Sequence, residues 1–377
     1  MSAILFWLLL ILSIYSYFLY PLVLAVRVSL QSRKAEPVAS SELPSLSLIV
    51  TAFNEQARIR EKLENSLAID YPKLEIIIAS DCSTDDTESI VAEYFGRGVK
   101  LVRADQRLGK ENAQRCAIEQ ASSEILVFSD VATQIPADAL RKLAAYFADP
   151  KIGAVSSEDR FISQDGAVAG EGAYVRYEMW LRRMESDVAG LVGLSGSFFA
   201  ARKKVCAAWD IHCPSDFNTA LNCARAGYRS VTAPDVLGYY KDLADPRKEY
   251  QRKVRTVLRG ITAVARHPDV LSFASFRWFA VQVWSHKILR WGVPWFLVGL
   301  LLATFATVSS GGIYVLALLA QLAFYGVVIA AHFKAELREH GIVRIIYFFV
   351  QSNLAIAEAC VQYAIGKRMT TWQPSAR

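Results

Sequence analysis

The chain has 377 residues, 53% of them hydrophobic, with 42 Lys and Arg against 36 Asp and Glu and a net charge of +6. That length holds one large domain plus membrane segments, or two modest soluble domains, and the apolar fraction is high for an ordinary soluble protein. The charges crowd into the middle of the chain, between Arg27 and His286, and thin out at both ends. A modest basic excess suits loops beside a membrane, or attraction to lipid head groups and diphosphates, and no feature points to nucleic acid as a partner. Cys82, Cys116, Cys206, Cys213, Cys223 and Cys360 show no CxxC pair and no Cys/His metal spacing, so they read as reduced thiols rather than a disulfide framework.

Ala3 to Val26 is a nearly unbroken apolar run, long enough to cross a hydrocarbon core. Arg27, Arg33 and Lys34 follow it, which places the next domain in the cytoplasm and the N-terminus outside. The run is too long for a cleaved leader and has no basic residue before it. Towards the other end, Ser272–Ile288 predicts an amphipathic helix on the cytoplasmic membrane surface. Trp291–Val308 and Ile313–Ala331 predict a helical hairpin joined by Ser309–Gly312, with Trp291 and Trp295 at an interface. Ile345–Ile365 carries Gln351, Ser352, Asn353, Glu358 and Gln362, so it reads either as a fourth span or as an interfacial helix.

The polar middle holds five strand-length apolar runs: Leu46–Phe53, Leu74–Ser80, Val99–Ala104, Glu124–Asp130 and Ile152–Ser157. Helix-like segments Glu55–Leu67, Thr84–Phe95 and Lys110–Gln120 separate the first four. Continuous apolar strands alternating with helices predict an α/β fold with a mostly parallel sheet covered on both faces. Ligands of such sheets sit beyond the carboxyl ends of the strands. Three of those ends are polar: TAFNE (Thr51–Glu55), SDCSTDDT (Ser80–Thr87) and SDVAT (Ser129–Thr133). Helix capping would account for one such end; three neighbouring ends together point to a ligand site.

The ordered series TAFNE, SDCSTDDT, GKENA, FSDVAT, SGS, PSDF and RKVRT, from Leu46 to about Gly260, resembles the GT-A domain of glycosyltransferase family 2, which includes cellulose, chitin and hyaluronan synthases. The resemblance implies a Rossmann-like, mostly parallel sheet flanked by transmembrane helices. It divides the chain into an N-terminal transmembrane helix (1–30), a GT-A domain (44–265), an amphipathic interface helix (266–290), C-terminal transmembrane or interfacial helices (291–366) and a cytoplasmic tail (367–377).

Carried over from the family, Ala52, Phe53, Glu55 and Asp81 would line the nucleotide pocket, and Lys110 would reach a phosphate. Asp130 would hold Mg²⁺ or Mn²⁺ against the diphosphate. Asp216 in PSDF would be the general base. Arg252 and Arg255 in RKVRT would pair with phosphate oxygens. Ser195 and Gly196 would lie near the donor sugar or acceptor, with Glu158 and Asp159 as further acceptor contacts. Trp372 and Arg377 resemble a gating segment. Three positions depart from the family pattern: Ala132 replaces the second acid of the DxD motif, Ser215 replaces an acid before the base, and Thr256 replaces a Trp that stacks on sugar acceptors.

The function implied is inverting, metal-dependent transfer from a nucleotide-sugar donor, UDP-linked, to a lipid-linked or polysaccharide acceptor at the cytoplasmic membrane face, in contact with membrane lipids, within exopolysaccharide or glycolipid synthesis. The alternatives are transfer to polyprenyl phosphate, or processive polymer synthesis coupled to translocation.

Overall fold

The computed structural model describes residues 2–31, 43–162, 173–241 and 246–369. The predicted gating residues Trp372 and Arg377 lie outside them. Two compact units emerge. One is built from Met1–Val23, Asp245–Ile261 and Gln282–Arg368, the other from Leu24–Ala244, Thr262–Val281 and Met369–Arg377.

The second unit is built on a seven-stranded sheet: β1 Leu46–Ala52, β2 Leu74–Ser80, β3 Val99–Arg103, β4 Ile125–Asp130, β5 Ile152–Ile162, β6 Phe198–Arg202 and β7 Arg229–Lys241. Their spatial order is β3-β2-β1-β4-β6-β5-β7. The first four are parallel, β6 runs antiparallel to both β4 and β5, and β7 is parallel to β5. The apolar runs are continuous because both faces are covered. Leu46, Leu48, Val50, Ile76, Ile78, Ile125 and Val127 face one apolar layer, with Ile59 and Leu63 of the helix Ile59–Leu67. Ile49, Ile77, Ala79, Leu126 and Phe128 face the other, with Ala113 and Ala117 of the helix Lys110–Gln120. On that second face Phe128 stacks on Phe199 at 4.8 Å and on Trp209 at 5.1 Å between ring centroids.

The sequence signal for the first four strands is carried into the fold, whereas β5 extends five residues beyond its apolar run and two strands gave no clear signal. The fifth run predicts Ile152–Ser157, but pairing with β7 continues it to Ile162. The register shifts between Ser157 and Glu158, where β7 carries Pro234 in a bulge. A proline is tolerated in a strand at such a site because no ladder N–H is needed there. β6 is only five residues long, and its order comes from lying between β4 and β5 rather than from its own period.

At the amino ends of the strands, Glu75 gathers three donors. Ser47 Oγ and the Ser122 amide bond its Oε2, the latter at 3.0 Å, and Lys100 Nζ bonds its Oε1 at 2.7 Å. Burial alone would raise its pKa, but the bonds from Lys100, Ser47 and Ser122 outweigh burial and hold it down to about 2. The stabilisation is therefore complete above the ordinary value of 4.5 and is lost as pH falls through about 2. Glu75→Gln is expected to lower stability by about 1–2 kcal/mol at neutral pH. It should also flatten the acid arm of the pH–stability profile, read from thermal melts.

The first unit is helical. Among the described residues, four helices are long and apolar enough to cross a membrane: Ser2–Ser29, Trp278–Ser310, Gly312–Phe333 and Gly341–Ala364. Phe6 packs with Leu300 and Ala303, and Leu9 lies within 3.4 Å of the position a Cβ on Gly299 would occupy. Two of these helices contain a π-helical turn, Tyr15–Leu19 and Trp284–Ile288. The turns face each other: Tyr15 Oη and Ser285 Oγ lie 3.1 Å apart, and the Arg290 guanidinium sits 5.0 Å from the Tyr17 ring.

Here the structure differs from the reading of 272–288 as one surface helix. A single turn, Phe273–Phe276, stops at Arg277, whose φ is 48°. The chain from Trp278 then continues without a break to Ser310. The apolar and aromatic content of that segment thus belongs to the start of a long helix. The polar residues of Gly341–Ala364 also find a physical account. Two of them meet the helix Pro246–Arg266 within the same unit: Tyr250 Oη donates to Glu358 Oε2 at 2.8 Å, and Lys253 Nζ donates to Ser352 Oγ at 2.7 Å while lying 4.1 Å from the Phe348 ring centre, whereas Asn353 and Gln362 bond within their own helix. Polar groups in an apolar helix usually face protein.

Candidate active site

The carboxyl ends of β1, β2 and β4 are level, because Ala52 registers with Ser80 and Thr51 with Asp130. The loops after β1 and β2 are stitched together. The Asn54 amide donates to Ser83 Oγ at 3.2 Å and the Thr84 amide to Asn54 Oδ1 at 2.8 Å. The Glu55 amide donates to Thr87 Oγ1 at 2.8 Å. Asn54 and Cys82 hold left-handed φ values of 51° and 58°. Such a backbone is costly for a Cys, and it persists where surrounding contacts impose it, commonly at ligand sites.

Asp81 is fully buried. Its Oδ1 accepts the Gly109 amide at 3.0 Å, while its buried Oδ2 has no hydrogen-bond partner among the described residues. Burial raises its pKa, partly countered by the Gly109 and Leu108 amides. Beside it, Phe53 is buried under Arg107, whose guanidinium carbon lies 3.8 Å from the ring centre. Glu55 is also buried; desolvation raises its pKa and Arg58, at 2.7 Å, lowers it. Ala52 is buried at the strand end.

Lys110 begins the helix Lys110–Gln120, after Gly109, whose φ is 105°. Its Nζ lies 2.5 Å from Asp130 Oδ1 and donates to the Gly196 carbonyl at 3.0 Å. Gly196 is the meeting point of the site. A Cβ built on it would stand 3.4 Å from Asp216 Oδ2. Gly196 thus touches two of the candidate residues, Lys110 through its carbonyl and Asp216 on its Cα side, and Lys110 in turn carries Asp130. Asp216 lies in the first turn of the helix Ser215–Arg225, a place that suits an anionic group.

Ser195 and Ser197 flank Gly196, and both hydroxyls donate to Asp159 Oδ1, Ser195 at 2.8 Å. Desolvation raises the Asp159 pKa and the two hydroxyls lower it. Asp159 thus orders the SGS turn from behind. Glu158 is fully buried and paired with Arg183 at 2.9 Å and Arg160 at 3.5 Å. Arg252 and Arg255 belong to the helical unit, on Pro246–Arg266, where Arg252 pairs with Glu249 at 2.7 Å.

Several residues at the site gave no sequence signal. Lys62 is fully buried, and its Nζ donates to Ser129 Oγ at 2.9 Å and the Thr133 carbonyl at 2.5 Å. Desolvation lowers its pKa to about 7 and the nearby Asp130 opposes that fall. Glu111 Oε1 accepts the Ser215 amide at 3.4 Å, supporting the turn that carries Asp216. Asp210, Cys213 and His267 place their ligand atoms within 4.8 Å of one another. Arg266 occupies the Asp210 carboxylate at 2.6 Å, however, and Arg225 lies 3.3 Å from His267 Nδ1. Those contacts clamp the segment leading to Asp216, with the Asp210 carboxylate already paired to a guanidinium. A long-range network of this kind has no local motif to betray it.

A divalent cation fits the Asp130 end of the site. The carboxylate is a hard oxygen ligand, and the Lys110 ammonium already marks the place of a positive charge beside it. With Ala132 at the next motif position, diphosphate oxygens and water would have to supply the remaining ligands.

Known proteins resemble this chain in sequence and in fold. The profile of Glycosyl transferase family 2 matches residues 47–208. A poly-beta-1,6-N-acetyl-D-glucosamine synthase of Staphylococcus epidermidis is 29% identical over 167 residues, 43% of this chain and 40% of that protein. The synthase of the same name from Staphylococcus aureus strain COL is 30% identical over 196 residues, 51% of this chain and 46% of that protein. The chain thus spans less than half the length of these curated relatives. The mannosyltransferase PcManGT from Pyrobaculum calidifontis, solved with GDP-Man and Mn²⁺, superposes with a TM-score of 0.75 at 23% identity, covering 98% of this chain and 100% of that one. The last likeness is one of fold. The family assignment rests on the profile, which identifies residues 47–208 as a glycosyl transferase family 2 domain.

Proposed function

We propose that this chain is an inverting glycosyltransferase. It moves a sugar from a nucleotide-sugar to a lipid-linked or polysaccharide acceptor at the cytoplasmic face of a membrane. The observation that carries this reading is the run of contacts from Asp130 through Lys110 to Gly196 and Asp216, at strand ends where Asp81 Oδ2 is buried without a hydrogen-bond partner among the described residues.

Each group has a chemical task. Asp81 Oδ2 accepts a donor hydrogen from the base or ribose, which satisfies its buried lone pairs. Lys110 holds a phosphate oxygen. Asp130 would hold Mg²⁺ or Mn²⁺, which supplies neutralisation of charge on the departing diphosphate. Asp216 takes the proton of the acceptor hydroxyl as that oxygen attacks the anomeric carbon opposite the leaving group. One displacement inverts the configuration and needs no covalent nucleophile. Gly196 leaves room beside the Asp216 carboxylate that a side chain would occupy. A polysaccharide acceptor is favoured by the curated relatives, which are polysaccharide synthases by name.

The reading is tested with detergent-purified full chain and a panel of UDP- and GDP-sugars, with and without Mn²⁺, in membrane lipid extract. Release of nucleoside diphosphate from one donor, dependent on the divalent ion, is expected. No turnover of any donor, together with no nucleotide binding, would contradict it.

A further inference from the structure

Lysine is among the residues least often fully buried, and a buried ammonium is costly unless its donors are met. Lys62 is fully buried on the helix Ile59–Leu67. Its two hydrogen-bond acceptors, Ser129 Oγ and the Thr133 carbonyl, bracket Asp130 in sequence. One turn further along the same helix, Asn65 binds both backbone groups of Ile135, accepting its amide at 2.9 Å and donating to its carbonyl at 2.8 Å. From the other side, the Asp130 amide donates to the Ser197 carbonyl at 3.0 Å, and the Thr133 amide closes back on the Asp130 carbonyl at 3.2 Å. The Asp130 turn is thus held from behind by Lys62 and from the side by the SGS segment, while its carboxylate faces Lys110.

Packing alone gives no reason for a charged group here, because an apolar side chain of similar length would fill the same space at lower desolvation cost. We propose that Lys62 is a positioning residue for Asp130, closing the Ser129–Thr133 turn so that the single carboxylate of this site is presented to a nucleotide-bound divalent cation. The need is set by Ala132. With no second acid in the motif to share the cation, the direction of the one carboxylate matters more, and groups that orient a metal ligand commonly control affinity by about 10–100-fold.

This inference rests on the donor-site reading above, and the experiment separates the two. Mn²⁺ binding to the full-length protein is measured in the presence of UDP by the electron paramagnetic resonance of free Mn²⁺. UDP binding without metal and the thermal midpoint are measured alongside. For Lys62→Met the expected result is Mn²⁺ affinity weakened by about tenfold or more, metal-free UDP affinity within about twofold of wild type, and a thermal midpoint unchanged or raised. Lys62→Gln, which keeps a polar head, serves if the Met variant fails to fold, and the same loss of Mn²⁺ affinity is expected of it. Wild-type Mn²⁺ affinity in a folded variant would overturn the proposal. So would a fall in Mn²⁺ affinity matched by equal falls in UDP affinity and thermal stability, which marks a merely structural lysine. A wild-type protein that binds UDP but no Mn²⁺ overturns it too, and one that binds neither fails the donor-site reading itself.

Discussion

Asp216→Asn is expected to cut sugar transfer to hydroxyl acceptors by about 10²–10⁴-fold, the range that a positioned general base contributes. The substitution keeps the shape of the side chain and removes its capacity to take a proton. Binding of the nucleotide-sugar should be little changed, because Asp81 and Lys110 stand on other elements. The helix Ser215–Arg225 should also survive. Glu111 supports its first turn through the Ser215 amide, and the Asp210–Arg266 pair clamps the segment before it. The measurement is kcat and KM for the donor with a thermal melt. A loss confined to kcat fits a base that acts in the transition state, whereas a parallel rise in donor KM would place Asp216 in binding. If the acceptor were a phosphate, already ionised, the Asn variant would retain most of its activity.

Asp130→Asn is expected to reduce kcat by about 10²–10³-fold, the loss seen when one preorganised electrostatic contact to developing charge is removed. Stimulation by Mn²⁺ should disappear with it. Lys110 is the reason that this variant will not simply mimic the metal-free enzyme. Its ammonium is nearly buried and lies on the Asp130 carboxylate. Without that partner the charge is left with the Gly196 carbonyl, and stability should fall by about 1–3 kcal/mol. The double variant Asp130→Asn with Lys110→Met removes the uncompensated charge. It should recover part of that stability and none of the activity. Thermal midpoints and Mn²⁺ titrations of the three variants check this account.

Much of the fold was legible because β1, β2 and β4 are largely apolar on both faces and end in polar residues. A continuous run such as Leu46–Ala52 has little other place to go than the centre of a covered sheet. β6 and β7 were not legible. Their order depends on pairing with β4 and β5, partners distant in sequence, and the β7 bulge around Pro234 interrupts any period. The break at Arg277 was hidden for a similar reason. Its left-handed backbone is imposed by what surrounds it, and Arg is not a residue that announces a turn.

At the site, the motifs brought Asp81, Lys110, Asp130, Ser195, Gly196 and Asp216 into view as separate short strings; Gly196 touches Lys110 and Asp216, and Asp130 is held on Lys110. Lys62 and Glu111 were invisible because each lies on a helix whose sequence gives no sign that the side chain points inward. Glu158 and Asp159 separate in the structure: Glu158 is consumed by two arginines, whereas Asp159 orders the SGS turn. The polar residues of Gly341–Ala364 left two readings open in sequence, and their pairing with Pro246–Arg266 shows why a helix long enough to span carries Ser352 and Glu358.

The account centres on a single displacement at the anomeric carbon, with Asp216 as the base. The most direct test is the proton NMR spectrum of the first sugar transferred from an α-linked nucleotide-sugar, read before any further addition. A β-linked product is expected, and it should be absent with Asp216→Asn. An α-linked product would contradict the single displacement and, with it, the role assigned to Asp216.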